Sequence, residues 1–257
     1  MKILKNITVF TMVMLLSVST VLEAREKNIS NFSSSSSNLV DSTGTFDGNK
    51  IYADVANNGL FLDYHVSGDS ALEWPKGTGV HSIFQSALWM GATVNGSIRT
   101  IVGDYTQDMG PGPWGGDPLA AVHRIYKVEK SMLASPLDFA DFQEWPVEFG
   151  APWVDVDGDG VYTPLPGGTD HPEFLGDQVL WFVSNDGDPA YKLNFGTSPM
   201  NVEIQTTMFG FDRPDVFGDM VFLKQLVINK GSDDLVDTYM GLWSDPDLGY
   251  AGDDFVG

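Results

Sequence analysis

The chain has 257 residues, no cysteine, and 35 acidic against 14 basic side chains, giving a formal net charge of −21. A surface so negative repels nucleic acid and anionic membrane, and the basic residues nowhere cluster into a phosphate-binding patch. An aromatic content of 12% separates it from acidic disordered segments, and without cysteine the core must hold without disulfides.

Met1 to Ala24 predicts a secretory signal peptide. Lys2 and Lys5 open it, and Ile7 to Leu22 is an apolar run broken only by threonine and serine. Cleavage after Ala24 removes two lysines and one glutamate, so the mature chain is more acidic still, secreted or at the cell surface and free of the membrane. Residues 25–45 hold the serine run Ser33 to Ser37 and read as a flexible leader. Asn28 and Asn31 stand in N-x-S patterns, which matter only in a cell that glycosylates them.

From residue 46 to 257 the pattern is one of short alternating runs. KIYADVANNGLFLDYHV places two strand-like segments around Asn57-Asn58-Gly59, and SIFQSALWMGATVNGSIRTIV repeats the scheme around Asn95-Gly96; Asn-Gly is a strong signal for a tight hairpin. Further strands are predicted over Ala121 to Val128, Gln178 to Val183, Met200 to Gly210, Asp219 to Asn229 and Leu235 to Trp243. Sustained helical periodicity is rare, and 28 glycines with 14 prolines punctuate the rest. The expected fold is all-β: an antiparallel β-sandwich with long acidic and Gly/Pro-rich loops.

The loop Ala151 to Pro164, APWVDVDGDGVYTP, carries the most specific chemistry. Asp155, Asp157 and Asp159 alternate and Gly160 follows, the spacing of the first, third and fifth ligands of a calcium loop with the glycine its turn requires. Val161 then offers its backbone carbonyl. The bidentate glutamate and exiting helix of an EF-hand are missing, since that position is Pro166; Asp170 is the expected replacement, with Glu173 the alternative. The cofactor so implied is Ca2+. Magnesium fits less well, because it keeps more water and fewer carboxylates. Against this stands an ordinary acidic turn whose aspartates cap their own backbone.

Asp186 and Asp188 after the strand QVLWFVS, and Asp245, Asp247 and Asp253 beyond Trp243, are candidates for a second cation site at the strand ends. Trp74, Trp114 and Trp145 sit beside proline or glycine in EWPKG, GPWGG and EWPVE, and are the candidates for stacking on a glycan. Trp89, Trp181 and Trp243 lie in apolar runs and read as core. In MVFLKQLVINKGSDDLVDTYMGLW, Val221, Leu223, Gln225 and Val227 share one strand face and Phe222, Lys224, Leu226 and Ile228 the other; both are largely apolar, as in a central strand with cover on each side. The acidic, glycine-rich DPDLGYAGDDFVG that follows predicts that more chain lies beyond Gly257.

The blocks LEWPKGTGVHSIFQSALWMGATVNG, GDQVLWFVSNDGDP and GLWSDPDLGYAGDDFVG resemble the amino-terminal region of large surface proteins exported by the type IX secretion system. That resemblance implies an exported architecture of β-sandwich or fibronectin-like modules with a carboxy-terminal sorting domain. None is found in this sequence, and the resemblance transfers no catalytic residue. No G-x-S-x-G, H-E-x-x-H or Gly-rich phosphate loop is present either. Glu73, Glu144, Glu148 and Glu173 are the carboxylates from which a glycosidase pair would have to come. His123 and His171 read as packed or surface histidines. The expected function is a non-catalytic, calcium-stabilised exported module for adhesion or spacing, its partner an extracellular glycan or surface protein. The alternative is a glycan-binding module of a larger polysaccharide-degrading protein.

Overall fold

A computed structural model describes residues 8–13, 43–68, 70–165, 170–194 and 196–247. The fold is all-β and antiparallel. In chain order come β1 (Thr8–Val13), β2 (Thr43–Phe46), β3 (Tyr52–Ala56), β4 (Leu72–Glu73), the long β5 (His81–Val94), β6 (Ser97–Val102) and β7 (Gly110–Pro111). They are followed by β8 (Tyr126–Glu129), β9 (Trp153–Val154), β10 (His171–Pro172), β11 (Gln178–Asn185), β12 (Val202–Gly210), β13 (Phe222–Asn229) and β14 (Val236–Pro246). The one α-helix among the described residues is the single turn Ala140–Gln143. No helix among the described residues is long and apolar enough to cross a membrane.

Two sheets organise these strands. One runs β1-β13-β12-β11-β7, with β8 also on β11; the other runs β14-β5-β4-β3-β2, with β6 also on β5. They share a core. One cluster joins Phe46, Ala53, Val55 and Ile83 of the second sheet to Leu180, Phe182, Met208 and Leu223 of the first. Another joins Leu88, Met90, Val94 and Ile101 to Val202, Ile204 and Val227. The arrangement is β-sandwich-like. A third cluster, holding Trp145, Trp181, Val179, Phe209 and Phe222, lies on the outer face of the first sheet. Phe142, Trp145 and Ala151 bring the irregular chain between β8 and β10 down onto that face. The two apolar faces of β13 are thus both used: Leu223 and Val227 point between the sheets, and Phe222 points under the cover.

Asn95-Gly96 closes the β5–β6 hairpin as expected, both residues having positive φ (50° and 77°), which a tight hairpin turn of this hand requires. Asn57-Asn58-Gly59 behaves differently. Both asparagines are buried; Asn57 Nδ2 donates to the His123 carbonyl at 2.6 Å and Asn58 Oδ1 accepts from the Leu60 amide at 3.1 Å. The chain then meets β5 through the Leu62–Ser86 bridge, so the turn is tied across the fold and does not close a hairpin. The segment predicted as one strand over Ala121 to Val128 is a 3-10 turn, Ala121–His123, followed by β8. β13 and β14 are not neighbours, because the link between them crosses from one sheet to the other and β14 pairs with β5. Within the segment read as signal peptide, Thr8–Val13 is a strand antiparallel to β13 (Thr8 opposite Val227); Thr43–Phe46, overlapping the end of the segment read as flexible leader, belongs to the second sheet, and residues 1–7 and 14–42 lie outside the described ones.

Candidate metal centre

The acidic loop is held at both ends by a small clamp. β9 and β10 pair with Val154 opposite His171 and Trp153 opposite Pro172, and the Glu173 amide donates to the Pro152 carbonyl at 2.9 Å. Trp153 and Tyr162 meet edge to face, 5.6 Å between centroids, and both pack on the outer cluster. Tyr162 Oη donates to the Phe142 carbonyl at 2.6 Å. Aromatic anchors therefore fix the loop's stems while its tip stays in water.

Within that frame, Asp155, Asp157, Asp159 and Asp170 converge: one carboxylate oxygen from each lies within 4.8 Å of all the others. The first three are exposed and Asp170 is buried. Gly158 and Gly160 have φ of +78° and +76°, the left-handed geometry that lets the chain coil around the carboxylates. Asp155 accepts from the Gly158 amide at 2.7 Å and the Gly160 amide at 2.9 Å, and Asp159 accepts from the Val161 amide at 2.7 Å. Asp170 braces the loop from the far side, accepting from the Val156 amide at 2.9 Å and the Thr163 amide at 2.7 Å. The Val161 carbonyl accepts from the Thr163 hydroxyl at 3.4 Å.

No ion pair among the described residues involves any of the four. The Asp159 amide, hydrogen-bonded to Asp157, is the largest single influence on the Asp157 carboxyl and lowers its pKa. Slight desolvation and the charges of Asp159, Asp170 and Asp155 act the other way and together leave it above the ordinary value. Burial pushes the Tyr162 phenol up as well, with Asp170 adding to the rise. These are the signs of concentrated negative charge, and the four carboxylates can hold a metal ion.

No protein-family model, curated protein or solved structure matches the chain. What the residues do must be read from their own geometry. Glu173, the alternative fourth ligand, is outside the cluster and lies 3.9 Å from Lys224 Nζ.

The other acidic candidates do not gather. Asp188 caps the 3-10 turn Pro189–Tyr191 through the Ala190 amide at 2.9 Å. Asp245 accepts from Tyr105 Oη at 2.7 Å, and Asp247 from Ser70 Oγ at 3.4 Å. Asp253 lies outside the described residues. Asp186 is fully buried, and the cation it faces is an ammonium: Lys192 Nζ stands 3.8 Å from it and 3.0 Å from the equally buried Asp108. Burial is the main influence on the Asp186 carboxyl and raises its pKa, against the Met200 and Val202 amides and Lys192, while Asp108 raises it further.

Lys192 and Asp108 are the residues that sequence reasoning passed over. The signal was available, since Lys192 is the only lysine or arginine between Lys130 and Arg213.

Among the tryptophans, Trp145 is a core residue at 2% exposure, its Nε1 donating to the Pro152 carbonyl, so its flanking proline marks an anchored loop and not a glycan platform. Trp74 packs partly buried on the inter-sheet core and donates to Asp219 at 3.0 Å. Trp114 remains 43% exposed and lines a cleft of about 360 Å³ with Gly116, Asn185, Gly187 and Tyr191. Trp181 is core as read, whereas Trp89 and Trp243 are not: they stack on the outer face of the second sheet, 6.3 Å apart and 5° from parallel. An alternating apolar run cannot by itself say which face is covered. Glu73 accepts from the Gly79 amide and Glu144 from Arg124.

Proposed function

We propose that this is a non-catalytic, calcium-stabilised module of an exported surface protein, serving adhesion or structural spacing. The observation that carries the reading is the convergence of Asp155, Asp157, Asp159 and Asp170 on one small volume. Four carboxylates this close repel one another unless a cation lies among them, and a hard, oxygen-seeking ion of flexible coordination suits an irregular loop. The acidic balance of the chain and its lack of cysteine favour a calcium-rich exterior, where bound ions take over part of what disulfides do elsewhere. The resemblance to proteins of the type IX secretion route agrees with that location.

Titration of the purified protein with calcium in a calorimeter tests the reading. One site is expected, with a dissociation constant of about 0.1–1 mM as in extracellular modules, weaker for magnesium and lost in Asp157→Ala. A flat titration well beyond that range would remove calcium from the account.

Glycan recognition is the second reading, favoured by the exposed indole of Trp114 at the mouth of its cleft. Retention on an insoluble polysaccharide that disappears in Trp114→Ala, with calcium affinity unchanged, would support it. Retention that survives the substitution, or none on any polysaccharide tried, would count against it.

A further inference from the structure

Away from the calcium loop, three ionisable side chains meet where the two sheets are joined at one end. Lys192 Nζ donates to Asp108 Oδ2 at 3.0 Å and to the Thr100 carbonyl of β6 at 2.5 Å. Asp186, at the end of β11, is 3.8 Å from the same nitrogen. The side chains of Lys192, Asp108 and Asp186 are 2%, 0% and 0% exposed. Asp108 also accepts from the Val102 amide at 2.9 Å and the Asn194 amide at 3.2 Å, and Asp186 from the Met200 and Val202 amides at 2.7 and 2.8 Å.

Fully ionised, this trio carries a net negative charge out of contact with water, which is costly. A proton on Asp186 makes the sum zero, consistent with the upward displacement of its pKa by burial. Moving one further proton from the ammonium to Asp108 leaves the sum unchanged and turns two buried charges into an amine beside a carboxylic acid. An amine lone pair held against a carboxyl group in a dry site is a nucleophile positioned on its electrophile.

We propose that Lys192 and Asp108 join in an intramolecular isopeptide bond, with Asp186 carrying the protons. The Lys192 nitrogen attacks the Asp108 carboxyl carbon. The Val102 and Asn194 amides, already on the two carboxyl oxygens, stabilise the charge that develops there. Asp186 gives its proton to the departing oxygen and takes one from the nitrogen. One C–N bond forms, one C–O bond breaks, one water leaves, and Asp186 ends as it began. No oxidant or reductant is required. The product is an uncharged amide that replaces a buried ion pair and ties the loop between the sheets to the segment between β11 and β12. In a chain without cysteine it is the covalent brace that the residues permit.

Intact-mass measurement of the folded, purified protein under denaturing conditions tests this directly. The expected mass is one water below that of the sequence, with a branched peptide on digestion that contains both Lys192 and Asp108. Lys192→Arg and Asp186→Asn should each restore the missing water. The wild-type mass decides even where a variant fails to fold. A full-sequence mass after prolonged incubation overturns the proposal. So does a water loss that maps to one of the Asp-Gly steps at 47, 157, 159 or 186, with Lys192 and Asp108 recovered in separate peptides.

Discussion

Asp108→Ala is expected to destabilise the protein by about 3–5 kcal/mol relative to wild type whose Lys192 and Asp108 are not yet joined, the range for removing one partner of a buried charge pair. The substitution leaves Lys192 Nζ with only the Thr100 carbonyl and the more distant Asp186, and it strips the Val102 and Asn194 amides of their acceptor. At roughly 2–4 °C per kcal/mol for a chain of this size, the melting temperature should fall by about 6–20 °C. Urea unfolding followed by tryptophan fluorescence would measure it. Replacing Lys192 and Asp108 together by apolar residues of similar volume should recover part of the loss, because no lone charge then remains in the core. A single-variant loss below about 1 kcal/mol would mean that water reaches the site, contrary to its burial.

The second large effect should come from taking calcium away. If free calcium stands at about a hundred times its dissociation constant, one site adds roughly 2.7 kcal/mol to folding, so chelation should lower the melting temperature by about 5–10 °C. Asp170→Ala should do the same with calcium present. It removes the buried ligand and also the acceptor that holds the Val156 and Thr163 amides. Acidity supplies an independent check. In the folded, ion-free loop the Asp157 pKa lies above its unfolded value, so its contribution favours folding below the ordinary carboxylate pKa and is lost as pH rises through the folded one. With calcium bound the carboxylates must be ionised, so the stabilisation by calcium should grow with rising pH and vanish on acidification. A melting temperature indifferent to chelator at every pH would end the proposal.

Much of the architecture could be read from the residues because side-chain alternation and Asn-Gly turns are local signals. β11, β12, β13 and β14 fall where their apolar runs stand, and Asn95-Gly96 turns as its positive φ angles allow. The acidic loop was readable for the same reason: three aspartates and a glycine lie within six residues, and Asp170 is near enough in sequence to be guessed. What escaped depends on distant chain. The lone Lys192 stands near Asp186 in sequence, but nothing there says that Asp108 will meet the pair, and nothing around Trp145 says that its indole will be packed against the outer face of the first sheet. Trp89 and Trp243 misled for the converse reason. Their runs are apolar, yet on the outer face of β5 and β14 Trp89 stays 38% exposed, and Trp243 meets Trp89 and the exposed Tyr105.

The pairing of β14 with β5 bears on how the chain reaches this state. Gly241 lies opposite Trp89, so β5, the longest strand among the described residues, acquires one of its neighbours only after β6 to β13 have been made. Such distant pairing closes slowly. A polypeptide emerging amino-terminus first displays an unpartnered ribbon edge for that whole interval, and a bare edge invites association with other copies. Correct assembly is therefore a race between β14 and other copies for that edge of β5, one that a temporary escort would decide in favour of β14.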